Sequence, residues 1–475
     1  MVDLAKITDF WHNKKSEVTI FVLVLIFVFT LVYAPHFQYD YPLHIDEWHH
    51  ITQAEKLSEG GYENRFAMLE AGFHLFLLGI SSIFDLVLVY KFLPAIFGVL
   101  SAIILFFFIY DLTGEYWMGI FAMIFFAMLK SNVNTGGLWF FTPLTFSIPL
   151  IYAFFWLFVT GVERTNNKRI LISYFIYIII LFSHPISATF MLPILAIFSL
   201  IKHKQVLRMW KIFVPALLIP VMGMVFLYAA TLQKDILGLL ARLIFERGWG
   251  VYELNLSPLL GYSIVGLILA LVGCIYAIKK RYHVFLIWPA FTLLTLIYYP
   301  FTDFTVLAPY QRFFYYFIIS LPALSAFGLY YLYQFFSSMA PRKIKDTVFS
   351  VIVFALLLFS MVSVYSIPQN IQLYKLIDED DFKTLQELDK LDKGKTVISG
   401  PDLGTAIYPV TKNSAVGTIF FYGSREDADM FVNTTCKIRE ELIDKHHAKY
   451  AISRDKLLCN WTVIYNRTGY IYEVR

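Results

Sequence analysis

Apolar runs of about 17 to 25 residues recur along most of this chain, and each is long enough to cross a bilayer as a helix. They lie at 18–34, 68–84, 87–110, 116–130, 143–160, 169–183, 186–201, 212–232, 258–278, 283–300, 312–336 and 346–367. Hydrocarbon offers no partner to a backbone N–H or C=O, so runs of this kind are restricted to helices that pair those groups internally. The chain is 58% hydrophobic and 16% charged over 475 residues, too apolar for a soluble domain and suited to an α-helical polytopic membrane protein. The net charge is only +4, and Lys and Arg fall in short clusters between the runs, which excludes a basic nucleic-acid-binding face.

Those basic clusters order the topology, because they stay on the cytoplasmic side. They are Lys14/Lys15, Arg164 with Lys168/Arg169, Lys202 to Lys211, Lys279 to Arg281, and Arg342 to Lys345. From residue 164 onward they follow every second run. Five runs separate the first two clusters, where an even number is needed, so one of the five does not cross. Run 68–84 is the expected exception: it is short, it holds Glu70 and His74, and it follows the polar stretch Glu59 to Arg65. It becomes part of a long first exterior loop, 35–86. About eleven spans result, with the N-terminus cytoplasmic and the C-terminus exterior, in a cell membrane or an ER-type membrane. No small-residue cleavage site precedes Pro35, so the first span is expected to be retained.

The expected domains are a transmembrane module, 1–370, that includes loop 35–86, and an exterior tail, 371–475. Charge density rises in the tail and apolar runs shorten. β-rich stretches, Thr396 to Ser399 and Val416 to Tyr422, alternate with helical ones, Phe382 to Leu391 and Ile438 to His446. Trp461 to Tyr465, a turn through Asn466 to Gly469, and Tyr470 to Val474 read as a hairpin, so the tail is a small α/β domain. Three N-x-S/T sequons, at Asn433, Asn460 and Asn466, exceed the roughly one expected by chance and suit an exterior glycoprotein tail. Cys436 and Cys459 can form a disulfide there.

The densest acid/base chemistry is His44-Ile45-Asp46-Glu47-Trp48-His49-His50, just beyond the first run. Titratable groups so close to hydrocarbon are functional candidates. If 43–58 is a helix ended by Gly60-Gly61, then Asp46, His49 and His50 share one face at i, i+3 and i+4. Three readings stand side by side. Asp46 is a general base; Asp46, His49 and His50 hold a divalent metal; or the helix is interfacial, with Ile45, Trp48 and Leu57 facing lipid.

Exterior-side cations suit a phosphate: Arg65, Arg247 and Arg312, with Lys91 more simply read as a snorkelling anchor. Loop 233–257 has the spacing of an amphipathic surface helix. His184 lies in Ser183-His184-Pro185, between two runs, and Asn132, Asn134 and Trp139 lie in another exterior loop.

These residues together resemble the GT-C superfamily of membrane glycosyltransferases. The resemblance rests on Asp46-Glu47 in a long first exterior loop, Glu70-Ala71-Gly72-Phe73-His74, His184-Pro185, Arg312, and a tail closing with Tyr470-Ile471-Tyr472-Glu473-Val474. It implies an inverting transfer from a polyprenyl (dolichyl-type) phosphate-linked sugar to a glycan, protein or lipid acceptor at the exterior face. Asp46 would be the base and Glu47 would orient a sugar. His49, His50, Arg65, His74, His184 and Arg312 would bind substrate, with the arginines on the departing phosphate. Metal-dependent oligosaccharyltransferases of the superfamily carry a second acidic motif and W-W-D-Y-G. Here Lys130 to Thr142 has no Asp or Glu and the W-W-D-Y-G stretch is missing. The comparison therefore points to a monosaccharide transferase similar to protein mannosyltransferases or aminoarabinose transferases, with no cofactor expected and a divalent metal as the alternative. The competing functions are a transporter or flippase for lipid-linked sugars and a non-catalytic receptor.

Overall fold

In this computed structural model the described residues are 15–62, 65–131, 137–232, 246–247, 258–339, 375–420 and 423–474, with four isolated positions between 351 and 362. The expected last span, 346–367, lies outside them, as do Asn132, Asn134 and most of loop 233–257. The chain forms two compact units, residues 1–34 with 93–368, and residues 35–92 with 369–475.

The first unit is a helical bundle. Among the described residues, five helices are long and apolar enough to cross a membrane by length and composition: Ser16–His36, Leu93–Thr113, Pro143–Glu163, Val284–Thr302 and Tyr310–Phe336. Further apolar helices are Tyr116–Ala127, Asn167–Ser183, Pro185–Ile201, Trp210–Leu232 and Ile264–Lys280. Each corresponds to an expected run. One start is corrected, because run 87–110 is broken at Lys91-Phe92, leaving a short helix Leu86–Tyr90 ahead of Leu93–Thr113.

Charge collects at one end of this bundle. Asp111 accepts from Arg169 at 2.5 Å and from Arg164 at 2.8 Å. Lys202 pairs with Glu163 at 3.3 Å, beside Arg164 at the close of the same helix. Tyr116, at the start of the helix after Asp111, donates to the Glu17 carbonyl. Lys279 donates to Tyr331, whose neighbour Tyr330 bonds Glu115. The basic clusters around 164–169, 202 and 279–281 therefore share an end with the start of the first helix. Toward the middle, polar groups are paired across helices: Tyr152 donates to the Ile319 carbonyl at 2.6 Å, and Trp288 to the Tyr316 carbonyl at 3.0 Å. Such pairing is what hydrocarbon surroundings demand.

The second unit joins the first loop to the tail, so loop 35–86 groups with 371–475 instead of with the spans that flank it. Run 68–84 supplies Ala71–Ser81, eleven residues, preceded by the 3-10 turn Arg65–Glu70, and both fall in this unit. The tail is a five-stranded mixed sheet. Calling its strands β1 (Thr396–Ile398), β2 (Ser414–Ala415), β3 (Tyr450–Ser453), β4 (Thr462–Tyr465) and β5 (Tyr470–Glu473), the order is 2-1-3-5-4. β1 is parallel to β2 and β3, while β5 runs antiparallel to β3 and β4. The expected hairpin is thus β4 with β5, and the helices near 382 and 438 are Glu379–Asp389 and Cys436–His446. Of the expected stretch Val416 to Tyr422, the described residues 416–420 form no strand: β2 ends at Ala415 and an isolated Gly417–Gly423 bridge follows, while Phe421 and Tyr422 lie outside the described residues.

Ile398, Phe431, Leu442, Ile443 and Tyr472 form the tail's core. Each such side chain contributes about 1.5–3 kcal/mol by leaving water. Cys436 and Cys459 are disulfide-bonded, with Cα atoms 5.4 Å apart.

Gly273 and Gly328 mark the tightest helix crossing, between Ile264–Lys280 and Tyr310–Met339. A Cβ on Gly273 would overlap the Leu324 carbonyl oxygen, and one on Gly328 would overlap that of Leu269. Alanine at either site forces two backbones apart. The expected cost is about 1–3 kcal/mol, read as a lower melting temperature in detergent. Gly223→Ala is the control, since a Cβ there meets nothing within 4 Å.

Candidate functional site

The second unit holds most of the candidate residues on two helices, Ile45–Ser58 and Ala71–Ser81. The first begins with an unusual cap. His44 is the N-cap, and its Nδ1 accepts the Asp46 N–H at 3.1 Å, which puts the ring's hydrogen on Nε2. Glu47 completes a capping box: its Oε2 accepts the N–H of His44 at 2.9 Å and of Leu43 at 2.8 Å. Glu47 is fully buried. This geometry turns one carboxylate oxygen back onto the backbone.

Asp46 sits between those two capping residues, with its Oδ2 3.6 Å from His44 Nδ1 and its side chain 32% exposed. A carboxylate fixed by its helix yet reachable from solvent has the placement a general base needs. Leu57 and Glu59 bring the helix to its end, ahead of Gly60-Gly61, as expected. The interfacial reading fails at Trp48, which is fully buried. The helix packs instead against Pro401–Thr411 of the tail, where Lys412 pairs with Glu55 at 2.6 Å and Tyr408 bonds Glu59.

His49 and His50 point to different surroundings. His49 stacks on Phe420 of the tail, ring centroids 4.4 Å apart and planes inclined by 30°. His50 turns toward the second helix, where its Nδ1 lies 3.0 Å from His74 Nε2 and 3.9 Å from a Glu70 carboxylate oxygen. Among the described residues, His50, Glu70 and His74 are the one group of three ligand-type side chains whose donor atoms all lie within 4.8 Å. The expected Asp46/His49/His50 set is not assembled, because helical spacing aligns the three backbones while the imidazoles diverge. Glu70 stands in the sequence reading as part of run 68–84 and of the Glu70-to-His74 motif but not as a candidate ligand, although its i, i+4 spacing to His74 is the signal that marks it.

Arg65 belongs to the short 3-10 turn Arg65–Glu70, and its side chain lies outside the described residues. Asn433, Asn460 and Asn466 are exposed. In the first unit, His184 joins Asn167–Ser183 to Pro185–Ile201; its Nδ1 bonds Ser187 Oγ at 2.6 Å, and Ser187 bonds Tyr316 OH at 2.9 Å. Arg312 stands one helical turn before Tyr316 and within electrostatic reach of His184. Arg247 is exposed on a two-residue strand paired with Phe304–Thr305.

The fold of this chain, with a helical bundle and a small sheet domain, is found in solved transferase structures. It is shared with the oligosaccharyltransferase of Archaeoglobus fulgidus in its apo form, at a TM-score of 0.60 and 13% identity over 94% of this chain and 70% of that one. The same archaeal enzyme, AglB, in complex with an inhibitory peptide and a dolichol-phosphate matches at 0.59 and 14% identity, with the same coverage. ArnT from Cupriavidus metallidurans in the apo state matches at 0.57 and 12% identity, over 96% of this chain and 97% of ArnT. No protein-family model and no curated protein sequence matches the chain. The chain therefore shares the fold of these solved structures, and among its described residues five helices have the length and apolarity to cross a membrane.

Burial lowers the His49 pKa from its ordinary 6.5 to about 4, with the Asp46 charge opposing. A depressed folded-state value means the unfolded chain takes up the proton first. The neutral ring's contribution is complete above pH 6.5 and is lost as pH falls through about 4. His49→Phe keeps a ring on Phe420 and removes the titration. Its melting temperature is expected to fall less than the wild type's between pH 6.5 and 4, measured by thermal unfolding of purified protein.

Proposed function

We propose that the protein is an inverting glycosyltransferase that moves a sugar from a polyprenyl-phosphate donor to an acceptor hydroxyl at the exterior membrane face. The observation that carries this reading is Asp46, part-exposed on a helix whose first turn is fixed by two capping side chains, in a chain of GT-C fold. The solved relatives include one holding a dolichol-phosphate and one tethered to an acceptor peptide. A monosaccharide transferase fits better than transfer of a whole oligosaccharide, since the chain spans nearly all of ArnT and has no carboxylate between Lys130 and Thr142.

In this reaction Asp46 takes the acceptor hydroxyl's proton as the acceptor oxygen bonds the sugar's anomeric carbon from the face opposite the leaving group. The bond from that carbon to the phosphate oxygen breaks, and the polyprenyl phosphate leaves with the electron pair. Glu47 is a positioning residue that holds the turn carrying Asp46. Arg312 is the cation proposed for the phosphate. Asp46→Asn is expected to lower transfer of radiolabelled sugar from synthetic polyprenyl phosphates by about 100- to 10,000-fold, with unchanged membrane insertion. Full activity in Asp46→Asn would remove the base from this assignment.

The proposed topology has eleven spans, with the N-terminus cytoplasmic and the tail exterior. The gathering of basic clusters at one end of the bundle supports it, because that end is the cytoplasmic one under the positive-inside rule. In intact cells, a cysteine at Lys280 should resist a membrane-impermeant maleimide while one at Lys437 reacts. The reverse pattern would invert the orientation.

A further inference from the structure

We infer that His50, Glu70 and His74 form a binding site for a divalent d-block cation such as Zn2+. The donor set is two imidazoles and one carboxylate: His50 Nδ1, His74 Nε2 and a Glu70 oxygen. Nitrogen-rich sets of this kind select zinc-like ions over Mg2+ and Ca2+, which take oxygen ligands. Three protein ligands leave a fourth position open, as in sites where a metal receives water or an oxygen of a bound substrate.

The geometry agrees with such a site. Metal bonds of about 2.0–2.2 Å in a tetrahedral arrangement set donor atoms roughly 3.4 Å apart. The imidazole nitrogens are 3.0 Å apart, His50 Nδ1 and Glu70 are 3.9 Å apart, and the whole set lies within 4.8 Å. Small side-chain movements close the remainder. Both histidines are buried, so their rings are held, whereas Glu70 is one-quarter exposed and gives the ion a route in. The edge of Phe73 against His50 and the Tyr62 ring beside His74 brace the two imidazoles.

The scaffold also suits the task. Glu70 and His74 are one turn apart at the start of Ala71–Ser81, and His50 comes from the packed neighbouring helix, Ile45–Ser58. A cation here ties together two helices that are joined only by the loop through Gly60-Gly61 and the 3-10 turn. His50 is one turn beyond Asp46, about 6 Å along the axis. Asp46 is not among the grouped donors, so the inference stands whether or not Asp46 is a base.

The test uses full-length protein in detergent, stripped with a chelator and titrated with Co2+ or Zn2+. The wild type and Asp46→Asn should each bind one equivalent. With Co2+ both should show the intense visible band of a four- or five-coordinate ion, and with Zn2+ both should gain melting temperature. Glu70→Gln and His74→Gln should weaken binding by more than about 100-fold, beyond the ~10–100-fold that loss of a supporting partner costs. Glu70→Gln is close to isosteric at a part-exposed position, so it carries the comparison if His74→Gln does not fold. Three results would overturn the inference: a wild type that binds no saturable equivalent, a Glu70→Gln variant that binds as the wild type does, or loss of binding in Asp46→Asn. Sugar transfer followed on the same samples keeps the questions apart. Loss of transfer with metal retained in Asp46→Asn touches only the base, and loss of metal in Glu70→Gln touches only the cation site.

Discussion

A buried carboxylate at the start of one helix sets much of the geometry of the second unit. Glu47 has no access to water, and leaving an ionisable group so enclosed is costly unless it is hydrogen-bonded. The chain meets that cost by bending Leu43 and His44 until their N–H groups both reach Glu47 Oε2. The bend sets the direction in which Ile45–Ser58 starts, and with it the position of Asp46, the residue before Glu47. Leu43 is also where the tail takes hold, since its carbonyl accepts the Leu376 N–H at 3.4 Å. Tyr41 packs on Phe382 in the same neighbourhood, ring centroids 4.8 Å apart. One short stretch thus serves as helix cap, loop anchor and tail contact.

The bundle solves a different problem, because its helices are apolar nearly all round and gain little by facing each other in place of lipid. Close approach and paired polar groups hold them together. Gly273 and Gly328 let two backbones meet where any side chain would separate them. Ion pairs gather at one end, where Arg169 is buried against Asp111 and Arg164 shares the same carboxylate. A carboxylate with two guanidiniums and the Trp156 indole N–H, at 2.9 Å, has its lone pairs well used. That arrangement holds the helices ending near 111 and 163 to the one starting at 167.

Periodicity and charge parity suffice to locate the apolar helices, because both are local properties of the chain. Parity leads to the expectation that one run among the first five does not cross; run 68–84, the one expected, carries an eleven-residue helix in the second unit. The tail's hairpin and two of its helices are legible for the same reason. The helix Pro401–Thr411 is not, since its internal Pro409 and its Gly404 both argue against a helix locally. Packing on Ile45–Ser58 overrides that preference. Likewise, no local signal joins Glu59 to Tyr408, which lie 349 residues apart. The tail's hold on the first loop is therefore invisible in sequence. The Asp46/His49/His50 expectation fails on the same ground: helical spacing predicts a shared face but not ring direction, and His49 turns toward Phe420 while His50 turns toward His74.

The grouping of the first loop with the tail gives the tail a role that its own sequence does not announce. A general base, the role proposed for Asp46, must be held within a fraction of an ångström of the proton it removes, yet it must also admit an acceptor that comes and goes. A loop between two spans is a poor carrier for such a group, because its ends are fixed and its middle is not. Here the middle is a helix, capped at one end by His44 and Glu47 and fastened at the other by Lys412 on Glu55, Lys56 over the Tyr408 ring and Tyr408 on Glu59. All of the second set come from tail residues meeting the face of the helix away from its start. Asp46, at the opposite end, keeps its exposure. The sheet domain therefore acts on the helix as a brace: its contacts at Leu43, at His49 and at the far end limit the helix's freedom, while Asp46 stays 32% exposed.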